Sequence, residues 1–284
     1  LRDKGFSLTQ EESFAEFLGI KFDLQDDGRI ETTQKGLILK TLKAADMEDF
    51  NPNALPFSSG ALGSDKQGEK MTESWNYRAI VGMLLYLSTN TRPDIAFAVS
   101  QVARFSNDPK KSHATAVKTI LRYLKGTLDK GTFIKATKAF SLDLYADADF
   151  CGLFKREDDN DPNCAKSRTG WIILLCGCAL IWKSQLQPQI TQSTTEAEYA
   201  ALSPSLRVLL PLKALVQEMV EAMRHEELRN TTVHATVFED NQSAYYLATN
   251  QRITNRTKYY LAKFHWFWIS YNEGLFSIVK CPTL

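Results

Sequence analysis

The stretch Tyr145-Ala146-Asp147-Ala148-Asp149 closes a run, 140–149, in which apolar and polar residues alternate with the period of two that marks a strand. Asp is disfavoured in strands and costly when buried without a partner. Two alanines flank Asp147, so little bulk hides it, and no basic residue follows before Lys155. Taken alone, an acid placed this way is suggestive of chemistry and leaves a structural role open.

Beyond it, strand patterns recur at 169–176 and 179–183, joined through Gly177. A helix opens at Ser193-Thr194-Thr195-Glu196-Ala197-Glu198-Tyr199. Ser193 and Glu196 fit a capping box, which accounts for Glu196. Glu198 lies about 200° further round the helix and has no capping duty. Pro204 and Pro211 are expected to bend or break this helix. A fourth strand, 232–238, alternates Val233, Ala235 and Val237 with His234, Thr236 and Phe238, and Glu239-Asp240-Asn241-Gln242 leads from it into a short helix. A longer helix from about 254 and a last strand, 275–280, complete an α/β unit over 139–284 with a mixed five-stranded sheet.

Asp147 on the first strand, Glu198 on the first helix and Asp240 after the fourth strand can meet at one edge of such a sheet. Two carboxylates ~4 Å apart repel by about 4 kcal/mol at an effective dielectric of 20. A cluster of three stays ionised only around cations. Hard oxygen donors select Mg²⁺ or Mn²⁺ over zinc. Two such ions ~3.5–4 Å apart can activate water against a phosphodiester.

The upstream half reads differently. Residues 17–24 alternate, Asp26-Asp27-Gly28 supplies turn chemistry and Ile30 resumes, which predicts a β-hairpin within 1–50. From Thr33 the pattern turns helical, and 51–70 is polar, a linker or mobile loop. Over 51–138 the apolar residues fall at helical spacing, with Pro93 and Pro109 as breaks. Between Pro109 and Lys138 there are eight Lys/Arg against one acid, Asp129, so Lys118, Arg122 and Lys125 are candidates to track phosphate along a helix. Arg252, Arg256 and Lys258 form a second basic candidate among aromatics that are expected to serve mostly as helix core.

Composition excludes other classes. The chain has 284 residues, 44% hydrophobic and 24% charged, an ordinary globular mix. Its net charge of +1 says nothing of partners. No stretch approaches the ~20 consecutive apolar residues of a membrane helix. The five cysteines read as free thiols of a reducing compartment, since Cys176 and Cys178 are too close for a zinc hook. Neither end carries a signal sequence, and both look like cuts through something longer.

These motifs together, with Lys166-Ser167-Arg168-Thr169-Gly170 and Trp182-Lys183-Ser184, resemble the ribonuclease H domain of Ty1/copia-type retrotransposon polyproteins. Phe17-Leu18-Gly19-Ile20, Thr91-Arg92-Pro93-Asp94-Ile95 and Arg122-Tyr123-Leu124-Lys125-Gly126-Thr127 resemble the segment that precedes it. The resemblance implies the end of a reverse-transcriptase palm at 1–50, a thumb/connection at 51–138 and a ribonuclease H-like fold at 139–284. It implies two-metal hydrolysis of RNA in an RNA–DNA hybrid, with Asp147, Glu198 and Asp240 as catalytic metal ligands and Mg²⁺ or Mn²⁺ as cofactor. The implied partners are the hybrid and the polymerase, integrase and protease parts of the same polyprotein, with no membrane. The implied place is a cytoplasmic virus-like particle or the nucleus. The family's polymerase acids would lie upstream of Leu1, and its fourth ribonuclease H acid beyond Leu284. This segment alone is therefore expected to bind hybrid and cleave it poorly. The acidic loop 155–165 is expected to be solvated and to hold no phosphate. A silent, hybrid-binding copy is the alternative reading, and an integrase or recombinase is disfavoured by the upstream segment.

Overall fold

The computed structural model describes residues 15–57, 60–135, 140–222, 231–255, 257–259 and 264–282. Its first part begins with β1 (Glu16–Phe17), β2 (Ile20–Leu24) and β3 (Arg29–Thr33), where the Asp26-Asp27-Gly28 turn closes the expected hairpin. Four helices follow: α1 (Lys35–Ala44), α2 (Tyr77–Asn90), α3 (Ala96–Ala103) and α4 (Lys111–Lys125). The chain then returns as β4 (Thr132–Lys135) to pair antiparallel with β3, with the Thr32 and Thr132 hydroxyls 2.7 Å apart. Residues on both sides of position 50 share one core: Ile38, Leu42 and Met47 pack with Ile80, Leu84, Val99, Val117 and Leu121. No separate core marks a boundary there, because β3 finds its ladder partner a hundred residues away.

Arg92 pins this core. Its side chain is 1% exposed and grips Asp94 through two hydrogen bonds, Nε to Oδ1 at 3.0 Å and Nη2 to Oδ2 at 2.8 Å. Nη1 donates to the Thr127 carbonyl at 2.9 Å and Tyr123 donates to Asp94 at 2.6 Å, so the turn before α3 is tied to the end of α4. Burial pushes the Asp94 carboxyl up, but the bonds from Arg92 and Tyr123 outweigh it and hold it below its ordinary value.

The second part is a mixed sheet of five strands: β5 (Ser141–Asp149), β6 (Arg168–Leu175), β7 (Cys178–Leu186), β8 (His234–Glu239) and β9 (Ser277–Lys280). The spatial order is β7-β6-β5-β8-β9, antiparallel through the first three strands and parallel through the last three. This is the expected ribonuclease H-like α/β arrangement. Helix α5 (Thr194–Ala222) lies on one face, where Tyr199, Leu202, Leu206 and Leu209 meet Leu142, Leu144, Ile173 and Val237. The prolines do not break it. Pro204 and Pro211 each remove one helical donor, yet buried residues on both sides, from Ala197 to Val220, keep the helix on the sheet. It is the one described helix long and apolar enough to cross a membrane, and half of its apolar window is buried within the protein. Helices α6 (Gln242–Asn250) and α7 (Trp268–Asn272) complete this part, with Phe267 fully buried beside them. Arg256 and the middle of the helix expected from 254 lie outside the described residues.

In the acidic loop 155–165, Asp158 and Asp159 are exposed as expected, and Glu157 is the departure. Glu157 is buried and bonds Arg104 of the first part at 3.1 Å, while also accepting from the Ser64 amide at 3.0 Å. Asp158 pairs with Lys66 at 2.9 Å. Glu157 is drawn in because the first part presents the Arg104 guanidinium and the Ser64 amide to it. Removing Asp94 would leave a buried guanidinium unpaired, so Asp94→Ala is expected to cost about 3 kcal/mol in urea unfolding. A loss below about 1 kcal/mol would refute the role given to this pair.

Candidate metal centre

Along β5, Leu142, Leu144, Ala146 and Ala148 are buried beneath α5, so Tyr145, Asp147 and Asp149 project from the opposite face. On β8 the parallel register sets Tyr145 opposite Phe238, with their rings stacked 4.5 Å apart. Asp147 and Asp240 each lie two residues beyond that matched pair, which puts them side by side at the carboxyl ends of adjacent strands. The third acid comes from the first turn of α5. Ser193 Oγ accepts from the Glu196 amide at 3.2 Å, and Glu196 Oε2 accepts from the Gln192 amide at 2.9 Å. With Glu196 so engaged, Glu198 turns inward and is 8% exposed. One carboxylate oxygen from each of Asp147, Glu198 and Asp240 lies within 4.8 Å of the others.

Burial pushes the Glu198 carboxyl up to about 9, helped by the negative charges of Glu239, Asp147 and Asp240 and opposed by the Ala148 amide. Its Oε2 has no hydrogen-bond partner. Glu239 was not among the expected site residues. It is fully buried and pushed up to about 8, first by burial and then by Asp240 and Asp147, with the Asn241 amide opposing. The signal was present: the inward set Val233, Ala235, Val237 continues at period two to Glu239. The donors fit a hard divalent cation, since they are carboxylate oxygens only, with buried, unpartnered ones on Glu198 and on the neighbouring Glu239.

A cleft of about 730 Å³ opens over this face of the sheet, where Phe97 of α3 faces Tyr145, Asp147, Arg168, Trp182 and Asp240. Arg168, also missed, stands opposite Asp149 in the ladder, bonds Ser100 through Nη1 at 2.9 Å and lies over the Phe97 ring. Burial lowers it to about 10, assisted by Arg104 and resisted by Asp149.

The basic candidates fare differently. Lys118 pairs with Glu73 at 2.7 Å. Arg122 donates to the Asn51 carbonyl at 2.6 Å, and Lys125 donates to the carbonyls of Glu48 and Phe50. Arg122 and Lys125 clamp the segment 48–53 onto α4, because its carbonyls run alongside that face of the helix. Arg252 and Lys258 are exposed, with Lys258 over the Tyr259 ring. Neither is brought to the carboxylate cluster.

The chain is 31% identical over 278 residues to the retrovirus-related Pol polyprotein from transposon RE1 of Arabidopsis thaliana, covering 98% of this chain and 18% of that one. It is 35% identical over 248 residues to the corresponding polyprotein from transposon TNT 1-94 of Nicotiana tabacum, covering 84% and 17%. The chain belongs to the Pol polyproteins of copia-type retrotransposons. It spans about a fifth of the length of these curated relatives. No protein-family model matches it. Among solved structures, ribonuclease H1 from Halobacterium salinarum is similar to half of the chain, with 86% of that protein covered, 15% identity and a TM-score of 0.31. Within this retrotransposon polyprotein segment, the second part is the mixed five-stranded sheet of order β7-β6-β5-β8-β9 with α5 on one face.

Glu198 and Glu239 bind protons more tightly folded than unfolded. Their contribution to stability is therefore largest at acid pH, and it falls as pH rises from the ordinary glutamate value of 4.5 through about 8 and 9. Melting temperature in chelator is expected to fall across that window, and Glu198→Gln to flatten the fall. An identical pH profile for the variant would show that Glu198 is not held in this environment.

Proposed function

We propose that this segment of the polyprotein holds two divalent cations, Mg²⁺ or Mn²⁺, on Asp147, Glu198 and Asp240 and hydrolyses the RNA strand of RNA–DNA hybrids. The observation that carries the reading is the convergence of the three carboxylates beside a buried, unpartnered Glu198 oxygen. When bound, the cations supply Lewis acidity toward a phosphodiester and lower the pKa of water.

The chain's own residues do the rest. Asp147 lies on β5 and Asp240 one residue past the end of β8, each two residues beyond the last β5–β8 pair, Tyr145–Phe238, so the end of that ladder sets their approach. Glu198 is held by the Ala148 amide and by its place beneath the strand end. The cleft above gives a substrate strand access, and Phe97, Tyr145 and Trp182 offer ring faces along it. A hybrid read by shape and backbone, the general mode for A-form duplexes, asks of this site only that a phosphodiester reach the carboxylates.

Mg²⁺ or Mn²⁺ is expected to raise the melting temperature through ligand linkage, with two ions per chain by calorimetry. Asp147→Asn and Asp240→Asn should each weaken ion binding by more than about tenfold and abolish cleavage of labelled RNA in a hybrid. Unchanged ion titrations in both variants would remove the site. Because this segment alone is expected to cleave poorly, cleavage is read in the longer polyprotein, where ion binding without cleavage would favour a silent, hybrid-binding copy.

A further inference from the structure

A second groove, of about 500 Å³, lies between the two parts of the chain and outside the metal centre. One wall is the face of α4 that carries Ser112, Thr115 and Thr119, spaced three and four residues apart. The other wall is the start of the loop that follows β5, with Lys155 and Arg156. Both cations are exposed, and neither has an ion pair among the described residues. Lys155 adopts a left-handed backbone with φ of 60°.

The groove has a built floor. His113 on α4 accepts from the Lys110 amide through Nδ1, so its Nε2 donates to the Gly63 carbonyl at 2.9 Å. Arg104 holds the Leu62 carbonyl at 2.9 Å and Gln101 the Leu62 amide at 3.1 Å. Gly63 must be glycine here, since a Cβ would stand 1.9 Å from the Arg156 carbonyl. Of the nearby acids, Glu157 holds Arg104 and Asp158 holds Lys66, while Asp65, which lines the groove, accepts from the Ser112 hydroxyl at 2.6 Å and Asp161 accepts from the Asn163 amide. Lys155 and Arg156 therefore stand exposed in a groove shared with a row of hydroxyls and with Asp65, and neither has an ion pair among the described residues.

We propose that this groove seats the sugar–phosphate backbone of the hybrid, with Lys155 and Arg156 on phosphates and the α4 hydroxyls along the sugar edge. The site rests on the reading that the segment acts on RNA–DNA hybrids, and adds to it a contact that both parts of the chain must build together. Hydroxyl and cationic side chains without base-reading geometry suit a duplex recognised by its backbone and 2′-hydroxyls. The helix is the one singled out from the sequence, but the surface is a different face of it.

The test is the salt dependence of binding of a labelled RNA–DNA hybrid to the full chain in chelator, where no cleavage occurs. Lys155→Gln/Arg156→Gln is expected to reduce the slope of log affinity against log salt by about 2, roughly 0.9 for each phosphate no longer neutralised. Between roughly 50 and 200 mM salt the variant's affinity then falls about tenfold less than the parent's. Its unfolding midpoint should match the parent, because both side chains are exposed and unpaired. Lys35→Gln, which removes an exposed ion pair with Asp129 elsewhere, should leave the slope unchanged. A parent that binds hybrid with a slope the double variant does not alter would overturn the groove and leave the metal-centre reading standing. A parent that binds no hybrid at all would overturn both.

Discussion

Because β5 and β8 lie parallel, with Tyr145 opposite Phe238, two acids ninety-three residues apart end on adjacent strand termini. No loop has to bring them together. Helix α5 then crosses the buried face of the same strands and delivers Glu198 from its first turn. The cost of this arrangement is electrostatic. Carboxylates within 4.8 Å of one another, in a partly desolvated site, repel by a few kcal/mol even at an effective dielectric near 20. The packing that enforces their approach is the apolar contact of α5 with β5, β6 and β8, so the core is what sustains the charge cluster.

The two parts of the chain meet through a small number of directed bonds. Glu157 and Arg104 form a buried pair, Arg168 reaches Ser100, and Trp182 donates to the Ser88 carbonyl at 2.6 Å. All three leave the sheet near its strand ends or its β7 edge and land on α2, α3 or the turn after α3. Breaking one member of a buried pair leaves an uncompensated charge, which costs more than the pair contributes when intact. The relative placement of the parts is therefore set by polar specificity as much as by apolar burial. Phe97, set beneath Arg168, belongs at once to this contact and to the cleft over the metal centre.

Helix α4 shows how one element can serve two purposes. Its apolar stripe, including Val117, Ile120, Leu121 and Leu124, faces the first core. Lys118, Arg122 and Lys125 hold the chain that runs beside it, and Ser112, Thr115 and Thr119 line the groove shared with the loop after β5. Charge in the sequence is not the same as charge available to a partner. A lysine near an unpaired carbonyl, such as Lys125, is used internally, whereas Lys155 stands exposed over the Phe154 ring with no ion pair among the described residues.

The sequence by itself marked the five strands of the second part, their order along the chain and Asp147, Glu198 and Asp240 as candidates, because a period of two, an Asp between alanines and a capping box are local properties, whereas β4 falls in a stretch that read as helical. It also contained Glu239, at the next inward position of an alternation already visible in Val233, Ala235 and Val237. It could not decide which cations were spoken for. Lys118, Arg122 and Lys125 find partners at 48–53 and at Glu73, and Glu157 finds Arg104, across separations that no local pattern records. Nor could it show that Pro204 and Pro211 would sit inside one continuous helix, since the burial that keeps α5 on the sheet comes from strands on both sides of it in the chain. Periodicity reports which face of an element is apolar. Only the tertiary structure decides what that face, and each charge beside it, will meet, because those partners are chosen by long-range pairing of strands and not by neighbours in sequence.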